Sequence, residues 1–237
     1  MGSFKRAVYM LAPFALYSVL LKIFLASADM ITSAVISSGN GAADLFRRHA
    51  SVAEYMFNIL AYTLTALILL LVFMKSDKPE KAVYAGKSKR ALAIFVAFAM
   101  GGILSVLLNR MIAFLIDILG TDEKFYSAAS FDPKTTPFIP GLILYVFVSP
   151  LLEEMTFRWL MYGRIKKHLG EIAAIILSSL FFGIMHIVPV QVIYASLMGL
   201  VIALLYRTKR DLLLCFIFHM AANAFIFIPP YLGTLAN

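Results

Sequence analysis

Residues 149–160 read SPLLEEMTFRWL, with adjacent carboxylates at Glu153 and Glu154 and a guanidinium at Arg158 one helical turn later. They sit in a chain of 237 residues that is 62% hydrophobic and only 14% charged, with a mean hydropathy of +0.88. Soluble domains are nearer half apolar and a quarter charged. The surroundings of this stretch are therefore hydrocarbon-like, and ionisable groups there are expensive enough to mark function.

Working outward, apolar runs predict seven spans, within a range of six to eight. They cover 7–28, 52–74, 91–119, 138–163, 171–188, 190–206 and 212–228. About 20 apolar residues cross a bilayer as a helix, so the fold class is an all-α polytopic transmembrane bundle. The whole chain, 1–237, reads as one integral-membrane domain with its motif-bearing core at about 138–228. The first run is read as a retained helix. It is too long for the apolar core of a signal peptide and carries Lys22.

Lys and Arg alternate between the connections. One set of loops (with the N-terminus) carries fourteen of the 21 basic residues and the other carries four, Arg47, Arg48, Lys124 and Lys134. The positive-inside rule puts the N-terminus in the cytoplasm and, with seven spans, the C-terminus outside. A short extra helix between Asp29 and Arg48 would disturb that parity. The net charge of +8 is topological, and nucleic acid is not expected as a partner. The lone Cys215 lies in an apolar run and reads as a small buried side chain.

Four further intramembrane charges, Lys22, Asp29, Arg110 and Asp117, are read as snorkelling groups or interhelical ion pairs, and Asn109 as an interhelical hydrogen bonder. His49 and His168 fall in loops and are expected to be solvated. The remaining polar residues form three pairs at helical i,i+4 spacing: Glu154 with Arg158, Phe182 with His186, and His219 with Asn223. Each pair shows one polar face to a common interior. A carboxylate can act as general base toward water, an imidazole can hold that water, and imidazole and carboxamide can donate to an oxyanion. Adjacent glutamates point about 100° apart on a helix and cannot share one role. Two histidines and a glutamate could also bind zinc, but no H-E-x-x-H occurs and the histidines lie on different helices.

The ordered trio Glu153-Glu154-x-x-x-Arg158, Phe182-x-x-x-His186 and His219-x-x-x-Asn223 resembles the motif set of the CAAX protease and bacteriocin-processing (Abi) family, the type II CAAX prenyl endopeptidases. The resemblance covers about residues 143–228. It implies a multi-pass bacterial-type membrane endopeptidase acting on a membrane-associated peptide or protein, without a metal or other cofactor. By that analogy Glu153 is the general base, His186 positions the water, and His219 and Asn223 form the oxyanion hole. Glu154, Arg158 and Phe182 are the supporting residues, with Glu154 and Arg158 bracing the site. Two other readings remain open: a non-catalytic scaffold or bacteriocin-immunity protein of the same fold, and a transporter with a proton relay through Glu153 and His186.

Depth along the helices adds an expectation. Glu153 and His219 lie about 15 and 10 Å from the cytoplasmic ends of their spans, but His186 lies about 22 Å from Glu171. A later start for the fifth span would reconcile them. The three motifs are expected to meet in a cavity nearer the cytoplasmic side.

Overall fold

A computed structural model describes residues 2–39, 41–119, 132–186 and 188–235. Among the described residues all regular structure is helical: α1 (Ser3–Ser37), α2 (Gly41–Arg48), α3 (Ala50–Phe73), α4 (Lys87–Leu119), α5 (Phe138–Leu169), α6 (Glu171–Ile184), α7 (Pro189–Lys209) and α8 (Leu212–Leu235). Six of these (α1, α3, α4, α5, α7 and α8) are long and apolar enough to cross a membrane. The protein is a multi-pass integral membrane protein. Much of the connection expected outside, from Thr121 to Pro137, lies beyond the described residues.

The fifth expected span needs correcting. Helix α6 begins at Glu171, as early as the sequence allows, and ends at Ile184 after 14 residues. At 1.5 Å per residue it is about 20 Å long, short of a full crossing. Its start is fixed by Glu171, which meets Arg207 at 3.3 Å and Arg210 at 3.6 Å. The depth mismatch between Glu153 and His186 is resolved by α5, which runs on to Leu169 and so places Glu153 sixteen residues from its end, against fifteen from Glu171 to His186. Helix α7 begins at Pro189 and packs on α6. A Cβ at Gly183 would overlap the Ser196 side chain and the Val192 carbonyl, so only glycine allows this approach. Gly101 plays the same part between α4 and α8, against the backbone of Phe218.

Other boundaries differ in smaller ways. Helix α1 continues to Ser37, beyond the expected end at Ala28, and its 35 residues exceed a bilayer's thickness. A short helix, α2, does occur between α1 and α3, with Arg47 paired to Asp44 at 3.3 Å on the exposed surface. His168 lies in the last turn of α5, not in a loop, with its ring edge-on to Tyr9 at 5.4 Å. Lys22, Asp29, Arg110 and Asp117 all lie on the bundle's exposed exterior.

The two ends of the bundle are chemically distinct. At one end the connection between α3 and α4 is strapped down by ion pairs. Asp77 meets Arg164 at 2.6 Å and Glu80 meets Lys166 at 2.9 Å and also pairs with Arg210, while Asp211, between α7 and α8, meets Arg90 in the first turn of α4 at 2.7 Å. The Arg164 guanidinium stacks over the rings of Tyr9 and Phe73 at 4.2 and 4.4 Å, and Trp159 donates its indole N–H to the Asp77 carbonyl at 2.9 Å. These contacts gather the N-terminal part of α1 and the basic loops predicted to share a face. At the other end Tyr231, near the C-terminus, donates to the Thr136 carbonyl at 3.0 Å, and Tyr55 donates to the Thr136 hydroxyl at 3.3 Å.

Burial holds the carboxyl of Asp77 up, but hydrogen bonds from Arg164 and Ser76 outweigh it and bring the group below its ordinary 3.8. The same balance, with Arg90 as the principal donor, lowers Asp211.

Candidate active site

Helix α5 does not wind uniformly. Residues Ile143–Val148 and Met155–Tyr162 form wider, π-helical turns, and between them Ser149–Glu154 is ordinary α-helix. The first wide turn ends where Pro150 begins, and a proline both lacks an N–H and crowds the preceding turn. In the wide turn Ser149 donates its N–H five residues back, to the carbonyl of Leu144. The next donor in that series would be residue 150, to Tyr145, and it is a proline. The side-chain amide of Asn223 on α8 supplies the bond instead, with Nδ2 at 2.8 Å from the Tyr145 oxygen. Pro150 thus anchors the amide of a different helix.

The six-residue segment between the wide turns carries both acids. Glu153 accepts a hydrogen bond on Oε1 from Ser149 Oγ, one turn earlier. Its other oxygen is 3.7 Å from His219 Nε2. Glu154 is fully buried and meets the other side of the same imidazole, with Oε1 2.9 Å from His219 Nδ1. Glu154 Oε2 lies 3.2 Å from Arg158 Nε, and both side chains are out of solvent. That contact is an ion pair without hydrogen-bond alignment. The guanidinium nitrogens have no hydrogen-bond partner among the described residues.

Phe182 ties the three motifs together. Arg158 lies over its ring at 5.2 Å, and its ring packs edge-on to His186 at 5.6 Å and His219 at 5.4 Å. His186 sits just past the end of α6, with Nδ1 3.1 Å from the Phe182 carbonyl. A carbonyl only accepts, so Nδ1 carries the proton and Nε2 is left as an acceptor. For His219 the partner of Nδ1 is a carboxylate next to an arginine, so Nδ1 again carries the proton and Nε2 is the nitrogen beside Glu153.

Glu153, His186, His219 and Asn223 line a single cavity of about 620 Å³, together with Phe182 and Asn109. Glu154 and Arg158 stand behind it. The groups come from α5, the end of α6 and α8, so the structure brings together all seven residues singled out in the sequence. Five tyrosines that the sequence did not single out also line the cavity: Tyr17 of α1, Tyr55 and Tyr62 of α3, Tyr145 of α5 and Tyr194 of α7. Tyrosine on an apolar helix carries no signal of its own. Ser149 could have been found, because it stands at i−4 from Glu153 in SPLLE.

The position of the cavity corrects one expectation. His219 and Asn223 sit about 10 and 16 Å along α8 from the basic end, and Glu153 and His186 about 24 and 22 Å from the turn between α5 and α6, and the cavity does not open toward the basic end. It continues the other way, to Thr136, Asp132 and Pro230. The basic side is filled by Phe157, Leu160 and Met161, all fully buried beneath the ion-paired strap. Among the described residues no group of three or more His, Cys, Asp or Glu is arranged to hold a metal ion. Glu153 and Glu154 address opposite nitrogens of one ring and so do not converge on a point.

Comparison with known proteins adds a family. Residues 135–225 match the type II CAAX prenyl endopeptidase Rce1-like family. The motif-bearing part of this chain is similar to that family. The match spans the helices that carry Glu153, His186, His219 and Asn223. Two bacterial relatives extend the likeness beyond that region. The putative membrane peptidase YdiL of Bacillus subtilis (strain 168) is 25% identical over 181 residues, covering 74% of this chain and 72% of the relative. The membrane-embedded CAAX protease MroQ of Staphylococcus aureus (strain USA300) is 26% identical over 193 residues, covering 74% of each. No solved structure matches the chain significantly. The Rce1-like region and these relatives support a membrane protease of the CAAX type.

Proposed function

We propose that this protein is a membrane-embedded endopeptidase that hydrolyses a peptide bond with a water activated by Glu153. The observation that carries the reading is the convergence of Glu153, His186, His219 and Asn223, from three separate helices, on one cavity inside the bundle.

Each geometry supports a role. Glu153, oriented by Ser149, takes a proton from water as the oxygen attacks the carbonyl carbon of the substrate. Nε2 of His186, free to accept, orients that water. The new oxyanion is met by the Nε2–H of His219, whose Nδ1 is held by Glu154, and by the second N–H of the Asn223 amide. The C–N bond then breaks as Glu153 passes its proton to the leaving amine. Glu154 fixes which face of His219 looks into the cavity, and Arg158, 3.2 Å from its other oxygen, holds Glu154 in place. A general base contributes about 10²- to 10⁴-fold and an oxyanion donor about 10²- to 10³-fold.

In this reading no metal is required. The test is cleavage by purified protein, with and without a chelator, alongside Glu153→Gln. Activity that resists the chelator and disappears in a folded Glu153→Gln variant is expected. Loss with chelator and recovery on adding zinc would overturn the metal-free part.

A further inference from the structure

We propose that the substrate is a peptide segment presented on the extracytoplasmic side of the membrane, threaded into the bundle from the end opposite the basic loops. The proposal rests on the peptidase reading for the word substrate, but its geometry stands alone. Three observations carry it.

The first is a barrier. Between the reactive carboxylates and the basic end lie the fully buried side chains of Phe157, Leu160 and Met161. Over them the loop between α3 and α4 is held by Asp77 to Arg164 and Glu80 to Lys166, and the first turn of α4 is held by Arg90 to Asp211. Admitting a peptide there means breaking several partly buried ion pairs at once.

The second is an opening. From Glu153 the cavity runs past Gln191 and Tyr145 to Thr136, Thr135 and Asp132. Thr135 and Asp132 are exposed, so the lining reaches the surface at this end.

The third is orientation. The strapped end gathers basic loops that belong to the set carrying fourteen of the 21 Lys and Arg residues. Short basic loops remain in the cytoplasm. The open end, which carries Tyr231 and Thr136, therefore faces outward.

Labelling single-cysteine variants with a membrane-impermeant maleimide tests this directly. The one native cysteine, Cys215, is fully buried, so the wild-type protein serves as the unlabelled control. Cysteine is placed in turn at Thr135 at the mouth, Gln191 in the cavity and Lys78 on the strap. In intact cells Thr135→Cys and Gln191→Cys are expected to label, and Lys78→Cys only after permeabilisation. Ile226→Cys, also a lining position, substitutes should Gln191→Cys fail to insert. Labelling of Thr135→Cys only after permeabilisation would overturn the orientation. A cavity cysteine that stays unlabelled in intact cells, or that reacts only with a membrane-permeant maleimide, would overturn the access route, the latter in favour of lateral access from lipid. Labelling needs no cleavage. If the labels fall as expected while Glu153→Gln processes peptides like wild type, the peptidase reading fails and the route stands.

Discussion

Pro150 and Asn223 meet at one atom, the carbonyl oxygen of Tyr145. The proline withholds the backbone donor that the wide turn would have supplied, and the amide of Asn223 donates to that oxygen at 2.8 Å. Asn223 is thereby held with one N–H engaged and the other available to the cavity. Pro150→Ala restores a competing N–H. We expect peptidase activity to fall about tenfold, equivalent to about 1.4 kcal/mol in the barrier. The melting temperature should stay level or rise, because a helix-interior proline has been removed. A variant with unchanged turnover would show that the amide needs no such anchor.

The two adjacent glutamates should separate in stability. Glu154→Gln leaves Arg158 buried without its counter-charge, at a cost of about 3 kcal/mol. Glu153→Gln, at the cavity wall, should unfold like wild type while losing activity. The double variant Glu154→Gln/Arg158→Met should recover stability but not turnover, since His219 loses its carboxylate. Thermal unfolding in detergent, paired with cleavage rates, measures both. Equal destabilisation by the two single Gln variants would contradict the assignment.

Close helix contacts give a third expectation. Gly101→Ala drives a methyl group into the Phe218 backbone, next to His219, and Gly183→Ala drives one against Val192 and Ser196, near His186. Overpacking of this kind costs about 1–3 kcal/mol. Both should also slow turnover by displacing a histidine. Gly233→Ala, which meets nothing within 4 Å, serves as the control and should be silent in both assays.

The strapped end sets an acid limit. Asp77 and Asp211 both have folded values below the ordinary 3.8. Their contribution to stability is therefore complete above about pH 4 and is lost as pH falls through the folded values. Unfolding followed from pH 6 downward should show stability dropping below about pH 4. Asp77→Asn should flatten that drop, and an unchanged acid slope in this variant would contradict the role given to the Arg164 pair.

The site was readable from the sequence because charge in hydrocarbon is costly. Glu153, Glu154, Arg158 and the two histidines stood out against apolar runs, and helical spacing grouped them with Phe182 and Asn223. The spans were readable for the same reason, from hydropathy and the alternation of basic loops. The early stop of α6 was hidden, because the segment after Ile184 is as apolar as the helix before it. The consequence of Pro150 was hidden too, since a missing N–H shows its effect only when the facing helix is in place. The direction of the cavity depended on tyrosines from α1, α3, α5 and α7 and on ion pairs between distant loops, and neither follows from periodicity.

The most direct measurement compares the peptide termini of membrane and culture fractions from cells carrying wild type or Glu153→Gln at equal abundance. At least one membrane-associated peptide or protein should lose a processed end in the variant and accumulate untrimmed. Identical termini in the two strains, with any cellular phenotype of the wild type still complemented by Glu153→Gln, would contradict the catalytic account and favour a non-catalytic scaffold or immunity role.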